Sequence, residues 1–311
     1  MHVDVTHLQA RDGGPVVGWR GGLGRADRRD LTAKRGRSDQ ANELLDLDRG
    51  AVRNYRSSPR MDSPTLQLPD ANRACLFDLD GVLTNTAAVH AEAWSEMFDA
   101  FLRARATRTG EAFVMFDVAG DYGQYVDGRQ RSDGVRSFLA SRGIAVAEGS
   151  HDDPADADTI GGLGNRKNEL VLAMIHRRGV EAFEGSVRFV RAARDAGKRC
   201  AVVSASANCR EVLEAAGIAD LFEVAVDGVV AEREHLRGKP APDMFLAAAR
   251  MVGVQPAEAA VFEDALAGVA AGRAGQFGLV VGVDRLGQAD ALRAHGADVV
   301  VRDLSELLGP A

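Results

Sequence analysis

From Asn72 onward, short unbroken runs of apolar residues alternate with longer stretches in which apolar residues return every three or four positions. The short runs lie in RACLFDLD, KRCAVVSAS, FEVAVDG, AAVFED, FGLVVGV and ADVVV. Continuous apolar runs of this length, rich in Val and bounded by polar or Gly residues, fit strands buried on both faces. The longer stretches TAAVHAEAWSEMFDAFLRAR, REVLEAAGI, PDMFLAAARMVG and ALAGVAAGRAG have the helical period, and Gly253 closes the third. Strands alternating with helices predict an α/β fold, a doubly wound, Rossmann-like parallel sheet.

One interval departs from this rhythm. The first strand ends near Asp80 and the second near Ser204, whereas a strand–helix–strand unit needs only about 30 residues. The intervening chain has helical segments, DGVRSFLASRG and GGLGNRKNELVLAMIHRRG, and no convincing strand. This predicts a helical cap over 89–184 inserted into a core made of 71–88 and 185–311. EGSHDDPADAD and ATRTGEAFVMFDVAGDYGQY read as its longer loops, the acidic run as solvated loop rather than a calcium site. Gly161, Gly162 and Gly164 read as a hinge or turn, because no strand precedes them to make a phosphate loop.

Residues 1–70 lack sustained periodicity and are expected to form no packed core. Residues 1–60 carry twelve Lys/Arg and eight Asp/Glu, a balance of +4, which against −7 for the whole chain leaves −11 for residues 61–311. Two readings fit: a disordered basic tail, or a translation start at Met61 rather than Met1. The acidic balance of the folded part speaks against nucleic-acid or anionic-membrane partners. The chain has no apolar run long enough to span a bilayer and no signal-peptide core at its start. Three cysteines, Cys75, Cys200 and Cys209, without CxxC spacing, read as reduced core thiols. A cytoplasmic monomer is therefore expected.

In open parallel sheets, ligands bind at the carboxyl ends of the strands. That edge gathers Asp78 and Asp80 after the first strand, Ser204 after the second, and Glu263 with Asp264 after AAVF, while Lys239 lies in the loop RGKPAPD. Carboxylates so concentrated repel unless a cation neutralises them, and oxygen-only ligands suit Mg²⁺. A metal and a lysine together would offset the charge of an incoming phosphate, so that one carboxylate attacks phosphorus while its neighbour moves the proton. Thr84 and Thr86 read as a turn residue and a helix N-cap.

DLDGVLT, Ser204 after CAVVS, Lys239 in GKPAPD and the pair in FEDALAG resemble, in order, the four motifs of the haloacid dehalogenase superfamily, over roughly residues 72–308. The resemblance implies that Asp78 is the nucleophile that becomes an aspartyl-phosphate and Asp80 the general acid/base. Ser204 and Lys239 would hold the transferring group, and Asp78, Asp80 (through its carbonyl), Glu263 and Asp264 would surround Mg²⁺. Within the superfamily the chain is most similar to the β-phosphoglucomutase group. That likeness assigns the substrate side to His90, Trp94, Arg131, Lys167, Ser206 and Asn208, with His90 restraining the general acid, Arg131 gripping the phosphate not being transferred and Lys167 near the sugar. The chain departs from the group at Asn85, where aspartate is commoner, and at Ala207, where some mutases have lysine. The implied activity is conversion of β-D-glucose 1-phosphate to glucose 6-phosphate. The same core residues would serve a phosphatase for a sugar phosphate or other small phosphorylated metabolite, and a non-catalytic phospho-acceptor module is the alternative of another class.

Overall fold

The structure, a computed structural model, describes residues 65–310. Expectations for residues 1–64 lie outside the described residues. From Thr65 the chain already belongs to the fold: Leu66 bridges antiparallel to Leu308, and Leu66 and Leu68 pack on the core.

Six strands form one sheet in the order β3-β2-β1-β4-β5-β6: β1 (Ala74–Phe77), β2 (Arg199–Val203), β3 (Val224–Val226), β4 (Ala259–Glu263), β5 (Leu279–Val283) and β6 (Val299–Val301). All neighbours pair parallel, and β1 is central, with Phe77 in register with Val202 on one side and Phe262 on the other. Successive strand residues face opposite sides, so one apolar run feeds two cores. Cys75, Phe77, Cys200, Val202, Ala260 and Phe262 enter one, and Ala74, Leu76, Ala201, Val203, Ala259 and Val261 the other. The first face is covered by α4 (Glu184–Asp195) and α5 (Cys209–Ala215), the second by α7 (Asp243–Met251), α8 (Leu266–Ala274) and α9 (Ala289–His295). Helices α4, α9 and the short α6 (Gly228–Arg233) are additions to the sequence pattern. In α4 the buried stripe of Ser186, Phe189, Val190 and Ala193 is interleaved with Arg188, Arg191 and Arg194.

Between β1 and β2 the chain forms α1 (Ala87–Thr109), a π turn (Tyr122–Val126), α2 (Arg131–Ser141) and α3 (Ile160–Arg178) before α4. These have an aromatic core of their own, in which Phe98 stacks on Trp94 and Phe116 and packs on Phe138 at 4.1 Å between ring centroids. The start of α1 (Val89, Ala93) and the end of α3 (Val171, Met174, Ile175) belong instead to the sheet's core. These two helices therefore carry the insertion on the sheet.

Two local readings are corrected. Residues 106–109 and 122–125, read as loop, are helical, because the backbone ladder of α1 continues through polar residues to Gly110 at φ 76° and the chain coils again before Asp127. Gly161, Gly162 and Gly164 lie in α3, not in a hinge; Thr159 caps the helix through the Gly162 N–H at 2.9 Å. A Cβ on Gly161 would stand 1.9 Å from the carbonyl oxygen of Ser150, so glycine lets the 148–158 loop lie against the helix.

Candidate active site

β1 ends at Phe77, and Asp78 follows with its N–H bonded to the Phe262 carbonyl at 2.9 Å. Three residues on, Gly81 takes φ +87° and packs its backbone against Asp264: a Cβ there would be 1.8 Å from Asp264 Oδ2. Glu263, fully buried at the end of β4, accepts from the Ala265 N–H at 3.1 Å. It lies over Gly268, where any Cβ would strike its carboxylate. Asp78, Glu263 and Asp264 each present a ligand atom within 4.8 Å of the others.

Lys239 is the buried cation among them. Its Nζ bonds to Asp78 Oδ1 and, at 3.1 Å, to the Val203 carbonyl, and makes an ion-pair contact with Glu263 Oε1 at 2.5 Å. Burial lowers the ammonium's pKa, but Asp78 and Glu263 outweigh it and hold the lysine charged. Burial pushes the carboxyls of Asp78 and Asp264 well above the usual range, with Lys239 opposing at Asp78 and the other carboxylates adding to the rise at both. An acidic, oxygen-only cluster destabilised in its ionised form suits a hard divalent cation. Three of the four sequence-derived metal residues form it. The Asp80 carboxylate stands apart, engaged by Thr86.

The Thr86 hydroxyl donates to Asp80 Oδ1 and shares a 2.8 Å hydrogen bond with Thr84, whose own hydroxyl reaches the Leu79 carbonyl at 3.2 Å. This corrects the reading of Thr86: it occupies the N-cap position of α1, but its side chain makes no cap bond. His90, one turn along α1, sets Nε2 3.6 Å from Asp80 Oδ1, and its Nδ1 lies 3.0 Å from Lys167 Nζ on α3. Burial, then the lysine charge, lowers the His90 pKa from 6.5 to about 4. The ring is thus neutral near pH 7, and a donating ammonium at Nδ1 leaves the proton on Nε2, where it faces Asp80 without a hydrogen-bond partner. Burial lowers Lys167 to about 8, against the pull of Asp80. Its Nζ also lies 4.9 Å from the Trp94 ring centre.

A small cavity of ≈ 50 Å³ lies between these groups, and Arg131, Ser206, Ala207 and Asn168 also line it. Arg131 opens α2, and burial lowers its pKa. Ser206 Oγ accepts from the Asn208 N–H at 3.2 Å, and the Asn208 side chain donates to Asn168 Oδ1 at 2.9 Å, so Asn208 reaches the insertion rather than the cavity. Ser204 is buried at the end of β2, where Oγ accepts from the Ser206 N–H at 3.1 Å. Thr86, Tyr122 and Asp127 were not singled out as site residues in the sequence. Asp127 lines the cavity from the insertion, and burial followed by the Glu263 charge raises its pKa to about 7, with a hydrogen bond from Tyr122 opposing. Nothing in YVDGR distinguishes this aspartate from a solvated one.

The strand-end carboxylates, buried lysine and helical insertion define an α/β enzyme of the phosphoryl-transfer type. A family model for haloacid dehalogenase-like hydrolases matches residues 72–276, and the chain belongs to that family. It is 57% identical over 258 residues to a β-phosphoglucomutase of Mycobacterium bovis, covering 82% of this chain and 98% of that protein. A β-phosphoglucomutase of Bacillus subtilis is 32% identical over 237 residues, 76% of this chain and 91% of that one. Among solved structures, a β-phosphoglucomutase from Clostridium difficile shares the fold at TM-score 0.59 and 23% identity, over 76% of this chain and 93% of that one. No helix among the described residues is long and apolar enough to cross a membrane.

Proposed function

We propose that the chain is a Mg²⁺-dependent β-phosphoglucomutase that converts β-D-glucose 1-phosphate to glucose 6-phosphate through a phosphorylated Asp78. The observation that carries the reading is the Asp80–His90–Lys167 line from the end of β1 into the insertion. It stands beside near-full-length likeness to curated β-phosphoglucomutases.

Asp78 is the nucleophile, held by Lys239. Asp80 protonates the leaving oxygen and deprotonates the accepting hydroxyl. In this structure Asp80 is bonded to Thr86, away from the carboxylate cluster, while the unpartnered Nε2–H of His90 offers it a second position. An acid/base with two such positions withholds proton transfer until substrate arrives, and that protects the aspartyl-phosphate from water. Lys239 offsets the charge on the transferring group, and Mg²⁺, which Asp78, the Asp80 carbonyl, Glu263 and Asp264 would hold, would stabilise that charge further. Ser204 supplies a hydroxyl to that group, while Arg131 and Ser206 hold the phosphate that is not transferring. The cavity lies between the strand-end carboxylates and Arg131 and Lys167 of the insertion, so residues 89–184 act as a cap over the substrate.

The test is phosphorus NMR of the protein with Mg²⁺, β-D-glucose 1-phosphate and a trace of glucose 1,6-bisphosphate. Glucose 6-phosphate should grow without inorganic phosphate. Release of inorganic phosphate alone would replace the mutase with a phosphatase.

A further inference from the structure

The loop that follows β5 touches neither the carboxylate cluster nor the cavity, yet it holds the backbone of both acidic motifs. Arg285 Nε donates to the carbonyl of Gly81, the residue after Asp80, at 2.8 Å. Three residues on, Gln288 Nε2 donates to the carbonyl of Asp264 at 3.1 Å. The loop is itself closed, because the Gln288 N–H bonds to Asp284 Oδ1 at 2.7 Å and the Asp284 N–H to the Val301 carbonyl at 2.7 Å.

Arg285 also reaches the two segments that join the helical insertion to the sheet. Its guanidinium lies 3.8 Å from the ring centre of Phe183. The Phe183 N–H bonds to the Leu83 carbonyl at 2.9 Å, and the Asn85 N–H to the Glu181 carbonyl at 2.9 Å, so outgoing and returning segments are paired with each other. The far side of the guanidinium is anchored to the Arg302 carbonyl at 2.8 Å and stands 3.6 Å from Asp303. One planar, rigid side chain thus meets the turn after Asp80, the return segment and the chain after β6.

We propose that Arg285 and Gln288 are positioning residues for the reaction, bracing the backbone that sets Asp80 and Asp264 and tying the Asp80 turn to the segments that carry the insertion. The proposal rests on the phosphoryl-transfer reading above. Gly81 packs directly on the Asp264 carboxylate, so a shift at either carbonyl is passed to the other motif. Neither side chain touches the reacting atoms, and both act through backbone carbonyls.

The experiment uses the full chain with Arg285→Met, Arg285→Lys, Gln288→Met and the Arg285→Met/Gln288→Met pair. Thermal melts establish folding; Mg²⁺ titration calorimetry, the rate of Asp78 phosphorylation by acetyl phosphate read by intact mass, and kcat and KM for β-D-glucose 1-phosphate are then compared. Supporting residues of this kind cost about 10- to 100-fold in metal affinity or activity. The expected result for Gln288→Met is weaker Mg²⁺ binding by about tenfold or more with KM for the sugar phosphate little changed. The Arg285 variants should lose kcat by a similar factor, with lysine recovering only part because it restores the charge but neither the fork nor the stacking plane. The double variant should lose less than the product of the single losses, since both act on one packed unit. Folded variants with wild-type Mg²⁺ binding, phosphorylation rate and kcat would overturn the proposal, as would a rise in KM alone. Should Arg285→Met fail to fold, Gln288→Met decides by the same criteria. A wild-type protein that is phosphorylated by acetyl phosphate yet leaves β-D-glucose 1-phosphate unchanged would refute the sugar assignment, while Mg²⁺ binding and phosphorylation rates would still judge the brace.

Discussion

Lys167 Nζ lies 3.0 Å from Nδ1 of His90, joining α3 to α1 across the mouth of the candidate active site. The contact directs the remaining imidazole proton at Asp80, and both partners are buried enough to titrate away from their usual values.

The pH profile should carry that signature. Lys167, lowered from 10.5 to about 8, loses its proton as pH rises through about 8, and the charge-assisted bond that orients His90 weakens with it. Activity should therefore decline on the alkaline side from about pH 8, and Lys167→Met should lower kcat while removing that decline. His90, lowered from 6.5 to about 4, stays neutral in the folded protein while the unfolded chain takes up a proton below about 6.5. Between those values the unfolded state binds more protons, so this residue makes stability fall as pH falls from about 6.5 toward about 4. Thermal melts of wild type and His90→Gln over that range check the sign: the wild type should lose more.

Thr86→Val removes the hydroxyl that holds Asp80 in this structure. A lost hydrogen bond of this kind costs about 1–2 kcal/mol of stability. Without that bond Asp80 is free to move before substrate arrives, and the phosphorylated protein should then hydrolyse faster. Intact-mass decay of the phosphoenzyme in water measures this.

Asp80→Asn should abolish turnover of the sugar phosphate while leaving Asp78 open to phosphorylation by acetyl phosphate. Loss of both would mean that Asp80 supports the fold of the site rather than moving the proton.

Asp127, raised to about 7, is partly protonated at neutral pH beside the acidic cluster. A divalent cation there favours the ionised form, so binding should release protons. Calorimetry in buffers of different ionisation enthalpy at pH 7 should show that release, and Asp127→Asn should diminish it.

Gly81→Ala places a methyl group 1.8 Å from Asp264 Oδ2 at φ +87°. The left-handed conformation alone costs about 1–2 kcal/mol, and displacement of the carboxylate should weaken Mg²⁺ binding beyond what the lowered melting temperature explains.

The alternating apolar runs determined the sheet, because a strand buried on both faces has no polar position to spare. β1, β2, β4 and β5 are therefore legible from composition alone. Asp78, Asp80, Glu263, Asp264 and Lys239 were legible because their motifs sit at strand ends or in a loop, where chain order already implies proximity. Tertiary structure alone decided what happens between distant segments. Thr86 turns from capping α1 to binding Asp80 because the chain doubles back at Gly81. Asp127 becomes a site residue because the insertion folds over the sheet. Gly161 and Gly162 leave room in α3 for the carbonyls of Ser150 and Ala157, which the chain order does not place beside them. Arg285 meets Gly81 only because β5 lies two strands from β1. A sequence pattern records which faces must be buried, since burial recurs at fixed periods; it leaves no periodic trace of which polar groups then meet, since those contacts depend on how the faces close.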